Sequence, residues 1–184
     1  MFNKGLTDTF AGGILQMEIN PSKLLGIKEG ERLKLSTKGR YGLRAMIDLA
    51  RYSGREPVTI GSIAARQNIS ERYLEQIVAL LKKSGLVKSI RGASGGYVLA
   101  REMKEISVGD ILRALEGSLE PVKCAAFDSA DGCTASGGCV TKYVWQRINE
   151  SITRTVDEMD LAELVRESER INPEGDYTNP MCSS

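Results

Sequence analysis

The sequence contains no histidine. That removes the commonest general base at neutral pH and the nitrogen ligand of most zinc sites. There is no Cys-x-x-Cys pair and no βαβ pattern, which argues against a thioredoxin-like oxidoreductase, and structural zinc ranks low for want of such pairs. The glycine-rich stretches lack the Lys-Ser or Lys-Thr of a phosphate loop, so no other catalytic constellation is present and the chain does not read as an enzyme. No apolar run is long enough to span a bilayer, and no charged start is followed by an apolar stretch and a cleavage site. A cytoplasmic protein is expected.

What is present is unevenly spread. The chain has 184 residues and a formal net charge of only +1, but residues 32–101 carry 14 Lys and Arg against 4 Asp and Glu, a balance of +10. Residues 102–184 carry 8 against 16, or −8. One part of the chain is built to meet a polyanion and the other is not. Three of the four cysteines fall in CAAFDSADGCTASGGC, residues 124–139, as Cys124, Cys133 and Cys139. In a reducing compartment, clustered thiols more often bind metal or do redox chemistry than form structural disulfides.

Residues 1–31 show no sustained period, and a flexible extension over 1–33 is expected. Lys28-Glu29-Gly30-Glu31 can be encoded by a purine-rich stretch resembling a ribosome-binding site, which makes a natural start near Leu33 the alternative. From Arg40 to Tyr52, Leu43, Met46, Ile47 and Ala50 recur at helical spacing, and Gly54 ends the run. A second short helix follows Thr59, with Ile60, Ile63 and Ala64 inward. Gln67-Asn68-Ile69 makes a tight connection to Ser70, whose hydroxyl is expected to cap a third helix that buries Leu74, Ile77, Val78 and Leu81 and stops at Gly85. Glu71, Arg72, Glu75, Gln76, Lys82 and Lys83 lie off its apolar stripe. Two helices and a short turn, the second showing hydrogen-bonding side chains near its start, is the layout of a helix-turn-helix, although a merely solvated polar face has the same spacing. LVKSIRGASGGYVLA, residues 86–100, then reads as a hairpin with Arg91 at its turn, the wing of a winged helix, with Arg91 placed for a minor groove or a phosphate.

Further on, Ser107-Val108-Gly109-Asp110 is a capping box that opens a short helix closing at Gly117. The cysteine stretch reads as a loop, and Val140 begins a longer helix. Its Trp145, Ile148, Ile152, Thr155 and Met159 are spaced 3, 4, 3, 4, which suits packing against another helix in the same subunit or a second one. Leu161 to Val165 allows one more short helix, and 171–184 reads as a disordered tail holding Cys182. The fold class is mainly α with a small β-hairpin: a winged helix-turn-helix DNA-binding domain over 34–101, then a cysteine loop and a long dimerisation helix over 102–170.

The segments LSTKGRYGLRAMIDLA, ISERYLEQIVALLKKSGLVKSIRGASGGYVLA, ISVGDILRALEG and CVTKYVWQRI resemble the Rrf2 family of bacterial winged-helix transcription regulators, within it the iron-sulfur cluster regulator branch. The likeness runs from about Lys34 to Arg170. It implies a homodimer held by the long helix, usually a repressor, reading a two-fold symmetric operator in double-stranded DNA. By likeness, Ser70, Arg72, Tyr73, Glu75 and Gln76 belong to the recognition helix, with Glu75 tied to the choice between operator classes. Arg91, Ser94, Gly95, Gly96 and Tyr97 belong to the wing, and Lys38, Arg40 and Tyr41 meet phosphates. Cys124, Cys133 and Cys139 correspond to the ligands of an iron-sulfur cluster, [2Fe-2S] ahead of [4Fe-4S], sensing iron-sulfur status or oxidative or nitrosative stress.

Two departures stand out. The interval between the first two cysteines is longer than the branch's best-known members have, and the family's fourth ligands do not transfer. Lys142 stands where some relatives have histidine, and Arg40 where others have an acid. Asp128, Asp131, Cys182 or a small exogenous thiol are the remaining donors. The alternative reading is a cluster-free regulator of the same family, controlled by an enzyme partner of cysteine metabolism or by thiol oxidation.

Overall fold

The chain divides into two units, 1–31 and 32–184. The computed structural model describes residues 36–54, 56–92, 94–122 and 139–173, all in the second unit. The expected N-terminal extension, Cys124, Cys133, Asp128, Asp131 and Cys182 lie outside the described residues. In order, the elements are α1 (Thr37–Tyr52), α2 (Ile60–Gln67), α3 (Glu71–Lys83), β1 (Val87–Ile90), β2 (Gly96–Leu99), a 3-10 turn (Met103–Glu105), α4 (Val108–Glu116), α5 (Val140–Glu158) and α6 (Leu161–Ile171). The mainly helical fold class with one hairpin is therefore observed.

Local signals explain most boundaries. Ser36 is extended and its hydroxyl accepts from the Lys38 and Gly39 N–H groups, so α1 starts at Thr37, three residues before the Arg40 start that the sequence pattern suggested. Met46 and Ala50 are buried as expected, joined by Ala45 and Leu49, while Leu43 and Ile47 pack half-buried on the flank. Thr59 caps α2. Asn68 ends it in the left-handed conformation (φ 51°), and the Ile69 N–H returns to the Ala64 carbonyl; Asn tolerates this conformation better than other side chains do. All four expected core residues of α3 are buried, Leu74 and Ile77 completely. At its end the Leu86 N–H bonds to the Leu81 carbonyl and the Gly85 N–H to Lys82. These bonds need the φ of +70° that glycine adopts without a Cβ penalty.

One expectation fails at this helix: Ser70 precedes α3 in an extended conformation, but its hydroxyl makes no cap hydrogen bond. Ser70, Glu71 and Arg72 are all exposed, so the first amides of the helix are open to solvent and do not depend on a side-chain cap.

β1 and β2 pair antiparallel in the register Val87↔Leu99, Lys88↔Val98, Ser89↔Tyr97, Ile90↔Gly96. Tyr97 exchanges both backbone hydrogen bonds with Val58, at 2.9 and 2.8 Å, tying the wing to the segment before α2. The predicted box at α4 is present, with Asp110 N–H on the Ser107 hydroxyl and Ser107 N–H on the Asp110 carboxylate. Ile111 and Leu115 of α4 and Leu161 and Val165 of α6 enter the same core as Met46, Leu74 and Ile77. α6 is longer than expected, running to Ile171. Its end is held on α1 by Arg51, which donates to the Ser168 hydroxyl and to the Asn172 and Pro173 carbonyls.

α5 departs most from its sequence pattern. None of its residues is fully buried. Trp145, Ile152 and Met159 are half-buried, but Ile148 and Thr155 are exposed, and Val140, Tyr143, Val144 and Ile148 form an exposed apolar face. Its C-terminal end is fixed by Asp157, which accepts from Arg113 of α4 at 2.5 Å, and by the Met159 carbonyl, which accepts from Val108 N–H.

Candidate nucleic-acid interface and cysteine site

Burial of Leu74, Ile77, Val78 and Leu81 forces the other side of α3 outward. Glu71, Arg72, Glu75, Gln76, Lys82 and Lys83 are all exposed, as the periodicity predicts. Tyr73 is different: it packs edge-on against Tyr41 of α1, ring centroids 6.0 Å apart, and lies half-buried at the margin of the core. Lys38 is half-buried and Arg40 exposed in the first turn of α1. In the wing Arg91 and Ser94 are exposed, whereas Gly95, Gly96 and Tyr97 are half-buried. Gly96 has a packing reason of its own, because a Cβ there would stand 2.7 Å from the Val58 carbonyl oxygen and 2.8 Å from its carbon.

The charges sort by partner. Among the described residues, Lys38, Arg40, Arg72, Lys82, Lys83, Lys88 and Arg91 form no ion pair, while Arg66 and Arg101 of the same segment and Arg113 and Arg170 of the later one do. The first group is a set of uncompensated cations around an exposed helix face, which is the electrostatic footprint of a phosphate backbone.

A buried polar network, not foreseen from the sequence, supports this face. The Asp48 carboxylate accepts from Arg66 Nε at 2.9 Å, Arg66 Nη2 at 2.6 Å and Gln67 Nε2 at 2.9 Å. Asp48 and Gln67 are each about 1 % exposed. These bonds raise the Arg66 pKa above its usual value, led by the hydrogen bonds to Asp48. The guanidinium also lies over the Tyr52 ring, 4.0 Å from its centroid. Arg44 completes the frame by donating to the Gln67 side chain and carbonyl, at 3.0 and 2.6 Å. Together they fix α1 to the turn that launches α3. The sequence signal was Asp48 itself, one of only four acids in the basic segment, sitting among the buried positions of α1.

Of the cysteine site, only Cys139 is described. It is exposed, directly precedes α5, and its Sγ lies 3.0 Å from the Thr141 hydroxyl. The Thr141 hydroxyl first, then the Lys142 and Thr141 backbone N–H groups, lower its pKa below the usual thiol range. A helix N-terminus favours thiolate in the same way. Such a sulfur is a competent soft donor to iron and also a reactive thiol. Neither position that aligns with a family fourth ligand is a donor here: Lys142 is half-buried and cationic, and Arg40 is exposed on α1.

The Rrf2 profile, described as an iron-dependent transcriptional regulator, matches residues 35–167. The chain is 44 % identical over 132 residues to the HTH-type transcriptional regulator CymR of Bacillus subtilis, covering 72 % of this chain and 89 % of that protein. It is 39 % identical over 133 residues to IscR of Serratia proteamaculans, covering 72 % and 79 %. Among solved structures, T. potens IscR superimposes with a TM-score of 0.61 at 49 % identity over 76 % of this chain and 90 % of that one. The structure of CymR, the global cysteine regulator of B. subtilis, gives 0.61 at 45 % identity over 73 % and 97 %. With the helix-turn-helix, the wing and the uncompensated cations in place, the chain belongs to the Rrf2 family of DNA-binding transcription regulators.

Proposed function

We propose that the protein is a repressor whose operator binding is set by an iron-sulfur cluster on Cys124, Cys133 and Cys139, [2Fe-2S] before [4Fe-4S]. In this reading α3 enters the major groove. Ser70, Arg72, Tyr73, Glu75 and Gln76 face the bases and flanking phosphates, and Glu75 accepts from cytosine N4. Arg91, Ser94, Gly95, Gly96 and Tyr97 present the wing to the minor groove or backbone, and Lys38, Arg40 and Tyr41 meet phosphates. Two copies join through the exposed Val140, Tyr143, Val144 and Ile148 face of α5, matching a two-fold operator. The protein works where the DNA is, in the cytoplasm.

The observation that carries the cluster is Cys139, an exposed thiol of lowered pKa at a helix N-terminus, the last of three cysteines spaced Cys-x8-Cys-x5-Cys. A bound cluster supplies sensitivity to iron supply, oxygen and nitric oxide. Protein purified anaerobically is expected to be coloured, to carry iron and acid-labile sulfide, and to lose both in Cys124→Ala, Cys133→Ala or Cys139→Ala. A colourless wild type after anaerobic reconstitution overturns the cluster.

The same thiol favours one second reading, a cluster-free regulator controlled by thiol oxidation or by an enzyme partner of cysteine metabolism, as the identity to regulators named for cysteine control suggests. Reversible loss of DNA binding on peroxide treatment of iron-free protein, abolished in Cys139→Ala, is its expected signature.

A further inference from the structure

The last residue of α4 reaches back to the start of α1. Glu116 Oε1 accepts from the Ser36 N–H at 3.1 Å, the Ser36 hydroxyl at 2.5 Å and the Gly39 N–H at 3.0 Å. The Ser36 hydroxyl in turn accepts from the Lys38 and Gly39 N–H groups, at 3.1 and 3.3 Å. In an ordinary capping box, the third helical residue supplies a carboxylate that reaches back to the N-cap amide. Here the third residue is Gly39, and a Cβ on it would collide with the Glu116 carboxylate. The acid of the box has been moved from position 39 to position 116.

A glutamate at 39 would stabilise the helix end as well, so stability alone does not account for the long-range arrangement. What the arrangement adds is a link. The turn it holds carries Lys38, Arg40 and Tyr41, and Tyr41 bears on Tyr73 of α3. On the other side, Glu116 is followed after only seven residues by Cys124. The bonds of Glu116 Oε1 run to Ser36 and Gly39 within the protein, so its part is to hold the turn.

We propose that Glu116 is the positioning residue that sets the first turn of α1 against the DNA backbone and carries the state of the cysteine segment to it. The coupling half of this rests on the cysteine segment being the sensor; the positioning half does not.

The test uses full-length protein, with and without its cluster, and a duplex enriched from a random pool by the wild type. Affinity is read by fluorescence anisotropy across salt. Glu116→Ala is expected to bind about tenfold more weakly, with a salt dependence flatter by about one to two phosphate contacts per protomer. Its preferred sequence is unchanged, since α3 still reads the bases. Glu116→Gln keeps an acceptor oxygen at the cap and stays within about threefold of wild type. The ratio of affinities with and without the cluster falls toward one in Glu116→Ala. A wild-type salt slope in Glu116→Ala overturns the positioning role, whatever happens to its thermal stability. Should that variant not fold, Glu116→Asp, one methylene shorter, reads the same slope. Equal wild-type affinities with and without a bound cluster overturn the coupling and the sensor reading, while the salt slope still decides the positioning role alone.

Discussion

Asp48→Ala is the sharpest stability test of the support under the recognition helix. The carboxylate is fully buried and takes three hydrogen bonds, two of them from one guanidinium. Removing one partner of a buried pair typically costs about 3–5 kcal/mol, because the other charge is stranded. Here the Arg66 side chain is 27 % exposed and keeps its place over the Tyr52 ring, so it regains some hydration and the low end of that range applies. Gln67 has no such outlet at 1 % exposure, and its amide donor loses its bond to Asp48, adding about 1 kcal/mol. The expected loss is therefore about 4 kcal/mol.

For a urea slope of about 2 kcal/mol/M, that lowers the unfolding midpoint by about 2 M, read by far-UV circular dichroism. Asp48→Asn, which retains one acceptor, is expected to lose roughly half as much. In a double-mutant cycle with Arg66→Ala, the coupling should exceed about 1 kcal/mol. A midpoint for Asp48→Ala within about 0.5 M of wild type would refute the reasoning, since it would mean that the network is dispensable to the fold.

Four further outcomes follow from other parts of the molecule. Gly96→Ala places a Cβ against the Val58 backbone and should cost about 1–3 kcal/mol and weaken DNA binding, while Gly54→Ala, with nothing within 4 Å of its Cβ, serves as a neutral control in the same denaturation series. Because its pKa is lowered, Cys139 is thiolate at lower pH than an ordinary thiol. Site-resolved alkylation should therefore show its rate rising at lower pH, and Thr141→Val, which removes the largest cause, should move that profile to higher pH. Val144→Glu with Ile148→Glu puts charges on the exposed face of α5 and should convert a dimer to a monomer in sedimentation velocity without loss of helicity; a monomeric wild type at micromolar concentration counts against the dimer. Arg91→Ala should weaken all operators alike and flatten the salt slope by about one, whereas Glu75→Ala should change which sequences a random pool yields; identical pools from Glu75→Ala and wild type would remove its role in operator choice.

What could be read along the chain was local. The four buried residues of α3 and its six exposed polar ones follow from one helical period, the Ser107–Asp110 box from a spacing of three, and the stop at Gly85 from a single residue type. Contacts between distant positions leave no such trace. The Val58–Tyr97 bridge, the Asp48–Arg66 pair and the Glu116 cap join residues that no periodicity relates. Only their odd ends are visible: an acid inside an apolar stripe at Asp48, and a glycine at position 39 where a box starting at Ser36 would have glutamate. α5 misled for another reason. Val140, Tyr143, Val144, Trp145, Ile148 and Ile152 populate more than one face, so a 3, 4, 3, 4 spacing can be drawn along either. In the folded chain Arg113 of α4 pairs with Asp157 at the end of α5, and the side of the helix that carries Ile148 is left in solvent.

The nine residues of α4 touch three other parts of the fold. Ile111 and Leu115 anchor it in the core beneath α1 and α3. From that anchor Asp110 reaches Arg101, just past the wing, at 3.5 Å, Arg113 reaches Asp157 at the end of α5, and Glu116 reaches the first turn of α1. The cysteine segment is inserted directly between α4 and α5, so both of its ends are covalently joined to elements that these bonds constrain. On the sensor reading proposed above, a change confined to residues 117–139 has two routes to the DNA: through α5 and any second copy docked on it, or through Glu116 and the first turn of α1 within one copy. The two routes separate experimentally. The first disappears in the Val144→Glu, Ile148→Glu monomer and the second survives in it, so an effect of the cysteine state on that monomer's residual DNA affinity is the outcome expected of the Glu116 route, and its loss there is the outcome expected of the α5 route.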